Sequence, residues 1–158
     1  MAFGLIGRGA PTGWVRRVAA TGPDDLGVHD PEAGAPYAAR PVDVVLEDAF
    51  GVERPLVVVT GDRLAGTSRA VHRALRRMLG DRVLVPITEP HTADLRAVLR
   101  RAGAAVERSG PAVVFADDAP PALLEQVGAD VVDALDAGVR LVLTTRRTFL
   151  DAHLAAPT

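Results

Sequence analysis

The residues best placed to do chemistry fall in three short clusters. The first is Gly61-Asp62-Arg63-Leu64-Ala65-Gly66-Thr67-Ser68, followed by Arg69. Two glycines stand five apart, a hydroxyl residue closes the run, and an apolar stretch precedes it. That is the frame of a phosphate-binding loop, G-x-x-x-x-G-K-[ST]. Glycines let such a loop curl until several backbone N–H groups converge, and the N-terminus of the following helix adds partial positive charge. The closing hydroxyl, Ser68, can coordinate Mg²⁺. One part is missing, because Thr67 stands where the frame has lysine. Threonine donates one hydrogen bond and brings no charge, so triphosphate binding is expected to be weak and turnover poor. Arg63 or Arg69 could restore part of the charge, although a guanidinium fork does not reproduce an ammonium's position. The competing reading is a tight strand–helix turn with no ligand.

The second cluster, Asp117-Asp118, follows the apolar run Ala112–Ala116. An acid at the tip of a buried strand is the Walker B form. The first acid, Asp117, would help hold Mg²⁺, and the second, Asp118, would polarise an attacking water. Either could instead cap a helix opening at Pro120. The third cluster is Thr144-Thr145-Arg146-Arg147, which closes the run Arg140–Thr144. A hydroxyl pair and an arginine stand there where a sensor for a terminal phosphate would lie. A surface loop with two solvated arginines is the plainer alternative.

Four short apolar runs must position these clusters, and they alternate with amphipathic stretches. Strands are expected at 56–60, 82–86, 112–116 and 140–144. The first of these looks buried on both faces. A helix is expected from Pro41 to Gly51, with Val42, Val45, Leu46 and Ala49 in phase. Another is expected at 68–79, with Val71, Leu75, Met78 and Leu79 on one face. A third spans 92–102, carrying Leu95, Val98, Leu99 and Ala102 inward. Pro120 and Pro121 open a fourth, with Leu124, Val127, Val131 and Leu135 in phase and Gly138 as its stop. A last helix begins at 147–154. The alternation predicts an α/β fold with a mainly parallel sheet covered on both faces, a three-layer sandwich. Ligands of such sheets lie beyond the carboxyl ends of the strands, where all three clusters fall. Residues 1–40 hold 7 of the 15 glycines and 4 of the 12 prolines, and read as an irregular arm with one short helix near Trp14–Val18. The α/β domain then covers 41–154, and 155–158 form a tail.

Composition narrows the chemistry further. The chain has 158 residues and a formal net charge of −2, room for one domain with a real core. All 18 basic residues are arginine, and there is no cysteine. Schiff-base chemistry, thiol nucleophiles, disulfides and thiolate metal sites are therefore excluded. Charge is uneven: residues 63–108 carry 10 Arg and 4 acids, and the flanking stretches are acidic. Such arginines are expected to be solvated on helix faces. His29, His72, His91 and His153 are too scattered for a zinc site, and His72 is expected to be solvated among arginines. With few aromatics and a slightly negative net charge, no nucleic-acid partner is expected. No apolar run has the ~18–20 residues of a membrane span, and the start does not read as a signal sequence, so a cytoplasmic protein with no membrane partner is expected.

Taken together, residues 56–148 resemble the nucleotide-binding core of STAND-class signal-transduction ATPases, the NB-ARC and NACHT group of P-loop NTPases. The match is carried by Val58-Val59-Thr60-Gly61-Asp62 with Gly66-Thr67-Ser68-Arg69, by Val113-Val114-Phe115-Ala116-Asp117-Asp118, and by Val139-Arg140-Leu141-Val142-Leu143-Thr144-Thr145-Arg146. The last segment is similar to the Thr-Thr-Arg element whose arginine senses the γ-phosphate, which implies that role for Arg146. Leu26-Gly27-Val28-His29, with Tyr37 and Arg40, looks like the lead-in of actinobacterial repeat-associated ATPases. The resemblance implies strand order 2-3-4-1 and ATP or ADP with Mg²⁺ as ligands. It also implies Gly61 to Arg69 as the nucleotide loop, Ser68 and Asp117 as metal ligands, and Asp118 and Arg146 as the catalytic pair. The departures are Thr67 in a degenerate Walker A loop and the winged-helix and repeat regions, which lie outside these residues. The expected function is a degenerate regulatory module that acts through a protein partner and binds nucleotide weakly or not at all. The alternative is an ATP-binding switch or slow ATPase.

Overall fold

The computed structural model describes residues 16–26, 36–62, 66–135 and 138–155, the side chains of 130, 133 and 134 excepted. Arg63, Leu64, Ala65, Trp14, His29 and the tail 156–158 lie outside them. Four strands form one wholly parallel sheet: β1 (Leu56–Gly61), β2 (Val83–Ile87), β3 (Ala112–Ala116) and β4 (Val139–Arg146). From edge to edge the order is β2-β3-β4-β1. Around it, among the described residues, lie α1 (Pro41–Gly51), α2 (Thr67–Met78), α3 (Leu95–Ser109), α4 (Pro121–Leu124), α5 (Ala129–Ala134) and α6 (Arg147–Ala155).

Alternation along the strands sends successive side chains to opposite faces. Val57, Leu84, Val113, Phe115 and Val142 meet Leu46 and Phe50 of α1 and Val71 and Leu75 of α2. Val85, Val114, Ala116, Leu141 and Leu143 meet Leu95 and Leu99 of α3, Leu123 of α4 and Val131 of α5. Phe149 of α6 joins this second face. The sheet is therefore covered on both sides. Only Val57 of β1 is buried, because β1 lies at an edge, where one flank has no neighbouring strand. This corrects the expectation of a strand buried on both faces.

Several helices differ from their sequence pattern. In α1 the buried residues are Asp43, Leu46 and Phe50, while Val42 and Val45 are 41% and 65% exposed. The burial of Asp43 is compensated by bonds to Tyr37 and Arg40, so the polar group takes an inward place. In α2, Val71, Leu75 and Leu79 face inward and Met78 does not. Helix α3 starts at Leu95 and not at 92, because Asp94 caps it by accepting from the Ala97 N–H at 3.1 Å. It also runs on to Ser109, through Gly103, and ends at Gly110 in a positive-φ conformation. The helix expected from Pro120 is broken between Leu124 and Ala129. Gln126 lies in the break and clamps the start of α3, accepting from Leu95 N–H at 2.8 Å and donating to Ala93 O at 3.0 Å. Within the arm, Arg17 makes an antiparallel bridge to Val83 on the outer flank of β2, and 3-10 turns form at Val18–Ala20 and Asp24–Leu26. Pro86 is tolerated in β2 because that strand is an edge.

This winding sends the helices after β1 and β4, α2 and α6, to opposite faces of the sheet. β1 and β4 are neighbours whose register pairs Gly61 with Arg146 at their carboxyl ends.

Candidate functional site

Ser68 lies in the first turn of α2 and Asp117 follows β3, 49 residues later. Across that gap the Ser68 hydroxyl donates to Asp117 Oδ1 at 2.7 Å. Thr144, near the end of β4, donates to the same oxygen at 2.6 Å. Two hydroxyls thus donate to one carboxylate oxygen through short bonds. Neither bond involves Oδ2. The tips of β3 and β4 and the start of α2 thus converge on one carboxylate.

The backbone around this point is tightly fixed. Thr144 Oγ1 also accepts from the Asp118 N–H at 2.8 Å, and Thr144 O accepts from Ala119 N–H at 2.7 Å. Thr145 donates to Ala119 O at 2.7 Å. Asp118 is held at φ 47, the one positive φ outside glycine among the described residues. Its carboxylate turns to Arg146, whose Nε and Nη2 donate at 3.3 and 3.2 Å. The Arg146 guanidinium also stands over the Phe149 ring at 5.2 Å. Neither aspartate caps α4, whose N-cap is Pro120.

The described ends of the phosphate-loop frame are Gly61, Asp62 and Gly66 to Arg69. Gly66 adopts φ 68, a left-handed conformation that glycine takes without a Cβ penalty. Thr67 folds its side chain back over Gly61, so closely that a Cβ there would lie 1.9 Å from Thr67 Oγ1. Thr67 therefore occupies the space beside the first glycine. Arg69 lies over Tyr37, 5.6 Å from the ring centre.

One cation near the loop is not among the arginines the spacing suggested. Arg40 donates from Nη2 to Gly66 O at 2.9 Å. Its placement is fixed from the arm side. Asp43 Oδ2 accepts from the Arg40 N–H at 2.8 Å, half of a capping box that fixes the entry into α1. Asp43 Oδ1 accepts from Tyr37 OH at 2.6 Å, and Arg73 reaches Oδ2 at 3.2 Å. The Tyr37 bond, then the Arg40 N–H, hold the Asp43 carboxyl below its ordinary value. The sequence signal for Arg40 was its place three residues before Asp43 and one before Pro41. That pattern marks a helix start, and nothing in it reveals proximity to residue 66.

A cleft of about 290 Å³ opens between α1, β1 and the start of α2, with Arg40, Thr60, Gly61, Asp62, Thr67 and Arg147 among its walls. It adjoins the loop on the α1 side. Ser68, Asp117 and Arg146 do not line it. Its size is at the lower edge of ordinary ligand pockets.

The histidines contribute little here. His72 is buried at 6% exposure, against the expectation of a solvated side chain, because α2 turns it inward beside Val71. His91 is exposed in the loop after β2. Among the described residues no three His, Cys, Asp or Glu side chains gather to hold a metal ion. Asp117 with the hydroxyl of Ser68 is a sparse donor set. It suits Mg²⁺, which is usually held by one or two carboxylates together with phosphate oxygens and water. No helix among the described residues is long and apolar enough to cross a membrane. Compared with known proteins, the chain matches no family model, and no curated protein matches it.

Proposed function

We propose that this chain is a degenerate STAND-like P-loop domain, a regulatory module that binds Mg²⁺-nucleotide weakly and acts through a protein partner. The observation that carries the nucleotide part is the 2.7 Å bond between Ser68 Oγ and Asp117 Oδ1. A turn without a ligand has no need to bring the closing hydroxyl of a phosphate-loop frame onto the acid of a different strand. Mg²⁺ would replace that hydroxyl proton contact, held by Ser68 and Asp117 and completed by phosphate oxygens and water. The phosphates would meet the N–H groups at the start of α2.

Weakness follows from position 67. Thr67 brings no charge and leans on Gly61. Arg40, at Gly66 O, brings a cation to the loop from outside it. Slow hydrolysis is the second reading, and Asp118 and Arg146 stand at strand ends as it requires. They pair with each other, however, and neither engages Ser68 or Asp117. That arrangement favours binding over turnover. The exposed valines of α1, Val42, Val44 and Val45, support a protein contact, since apolar surface gathered on one helix is a common docking feature.

The test is isothermal titration of ATP and ADP with Mg²⁺ into wild type and Asp117→Ala. Binding that is lost in Asp117→Ala while the fold persists supports the site. A chain that binds neither nucleotide at millimolar concentration would leave only the protein-contact role.

A further inference from the structure

The two edges of the sheet are finished differently. On β2 the arm closes the outer flank: Leu84 N–H donates to Arg16 O, and Val18 N–H to Arg82 O, both at 3.0 Å. The next outward position on β2 is Pro86, which has no N–H to offer. The opposite edge, β1, has no such cover among the described residues. Pro55 O accepts from Leu141 N–H at 2.8 Å, so Pro55, Val57, Val59 and Gly61 turn their backbone polar groups to β4. Leu56, Val58 and Thr60 therefore turn theirs outward. Between Pro55 and Asp62 the strand holds neither a charge nor a proline. Charges, prolines or a covering segment are what keep an edge from pairing with another chain, and β1 shows none of these among the described residues.

We infer that β1 is a self-pairing edge: it joins β1 of a second copy of this chain, antiparallel, about a two-fold axis at Val58, and merges two sheets into one. Charge and register identify the occupant. Arg54 and Asp62 flank the strand at equal spacing from Val58. Both are exposed, and neither is paired among the described residues. Antiparallel pairing centred on Val58 sets Arg54 of each copy opposite Asp62 of the other. The same register sets Leu56 opposite Thr60 and Val58 opposite itself, so every outward-facing residue enters a hydrogen-bonded pair. Parallel pairing in register would set Arg54 against Arg54 and Asp62 against Asp62, which is repulsive. Helix α1 extends the surface. Its Asp43 and Glu47 side faces α2, through Arg73 and Arg77. Val42 and Val45 are exposed away from that side, and Val42 shares the cleft wall with Val59 of β1. The two-fold axis brings this flank of each copy toward the other. The inference rests in part on the protein-contact reading above, naming a second copy as the partner, and it needs no nucleotide.

Sedimentation velocity of the full chain, without nucleotide, should show a dimer that dissociates on dilution. Arg54→Glu should weaken it about tenfold, because two symmetry-related pairs turn repulsive, and Arg54→Glu/Asp62→Arg should restore it to within about threefold. Val58→Pro removes an N–H that does not bond to β4, so the fold should persist by circular dichroism while the dimer is lost. The chain has no cysteine, so a single introduced one reports the register. Val58→Cys should crosslink under mild oxidation, at the ~5.5 Å Cα separation of a hydrogen-bonded pair, and Thr60→Cys, offset from its own copy, should not. A chain that stays monomeric at millimolar concentration would overturn the self-pairing and leave a different protein as the partner of α1. A dimer indifferent to both Val58→Pro and Arg54→Glu, or one that crosslinks equally through Thr60→Cys, would overturn it too. None of these results bears on nucleotide binding, which the Asp117→Ala titration reads separately.

Discussion

Replacing Arg140 by methionine should destabilise the fold, by an amount its contacts allow one to work out. Arg140 is 2% exposed in β4, on the sheet face that meets α1. Its Nη1 donates to Phe50 O at 2.7 Å and its Nη2 to Val52 O at 3.0 Å, with Glu53 Oε2 at 3.2 Å. The guanidinium thus closes the carboxyl end of α1, where backbone carbonyls lack helical partners. Methionine keeps most of the apolar volume and removes the donors. Phe50 is buried, so its carbonyl loses a partner that water cannot easily replace, at a cost of about 1–3 kcal/mol. Val52 is half exposed, and water can take over there. Loss of a cation at a helix C-terminus adds about 0.3–2 kcal/mol. Against this stands the relief of guanidinium desolvation, which already pulls the Arg140 pKa down. The net expectation is a loss of about 2 kcal/mol, or a Tm lower by about 4–8 °C. Urea unfolding followed by circular dichroism, at unchanged m-value, measures it. A variant as stable as wild type would refute the reasoning, showing that burying the charge costs as much as its bonds return. The same clasp anchors α1, whose other end presents Arg40 to Gly66, so weakened anchoring should also loosen that contact.

Two further outcomes follow from the loop and its support. Asp43 has a folded pKa below its ordinary 3.8, so its contribution is present above that value and lost as pH falls through the folded one. Wild type should lose stability on acidification through that range, and Asp43→Asn should lose less over the same limb; parallel urea midpoints in the two proteins would contradict this. Thr67→Lys should tighten Mg²⁺-ATP binding by about tenfold or more, the worth of a charged hydrogen bond to phosphate. Titration calorimetry reads the gain, and no gain would mean that the loop does not cradle phosphates.

The amino-acid sequence alone determined the α/β class, because apolar runs of strand length alternate with helical periodicity and leave little choice of architecture. It also placed Ser68, Asp117, Thr144 and Arg146 at strand ends, since turn chemistry and apolar runs mark where strands stop. It misread α1, where periodicity favours Val42 and Val45, because bonding to Tyr37 and Arg40 lets Asp43 be buried in a way no hydropathy pattern encodes. Only the tertiary structure decided which strand ends meet. Asp117 and Asp118 are adjacent in the chain, yet one faces Ser68 and the other Arg146, because Thr144 fixes the backbone between them. Arg40, 26 residues before Gly66, reaches that carbonyl only because α1 and α2 pack on the same sheet face. Local pattern sets elements through short-range sterics and burial. The pairing of charges across elements depends on their packing, and that is where this site is made.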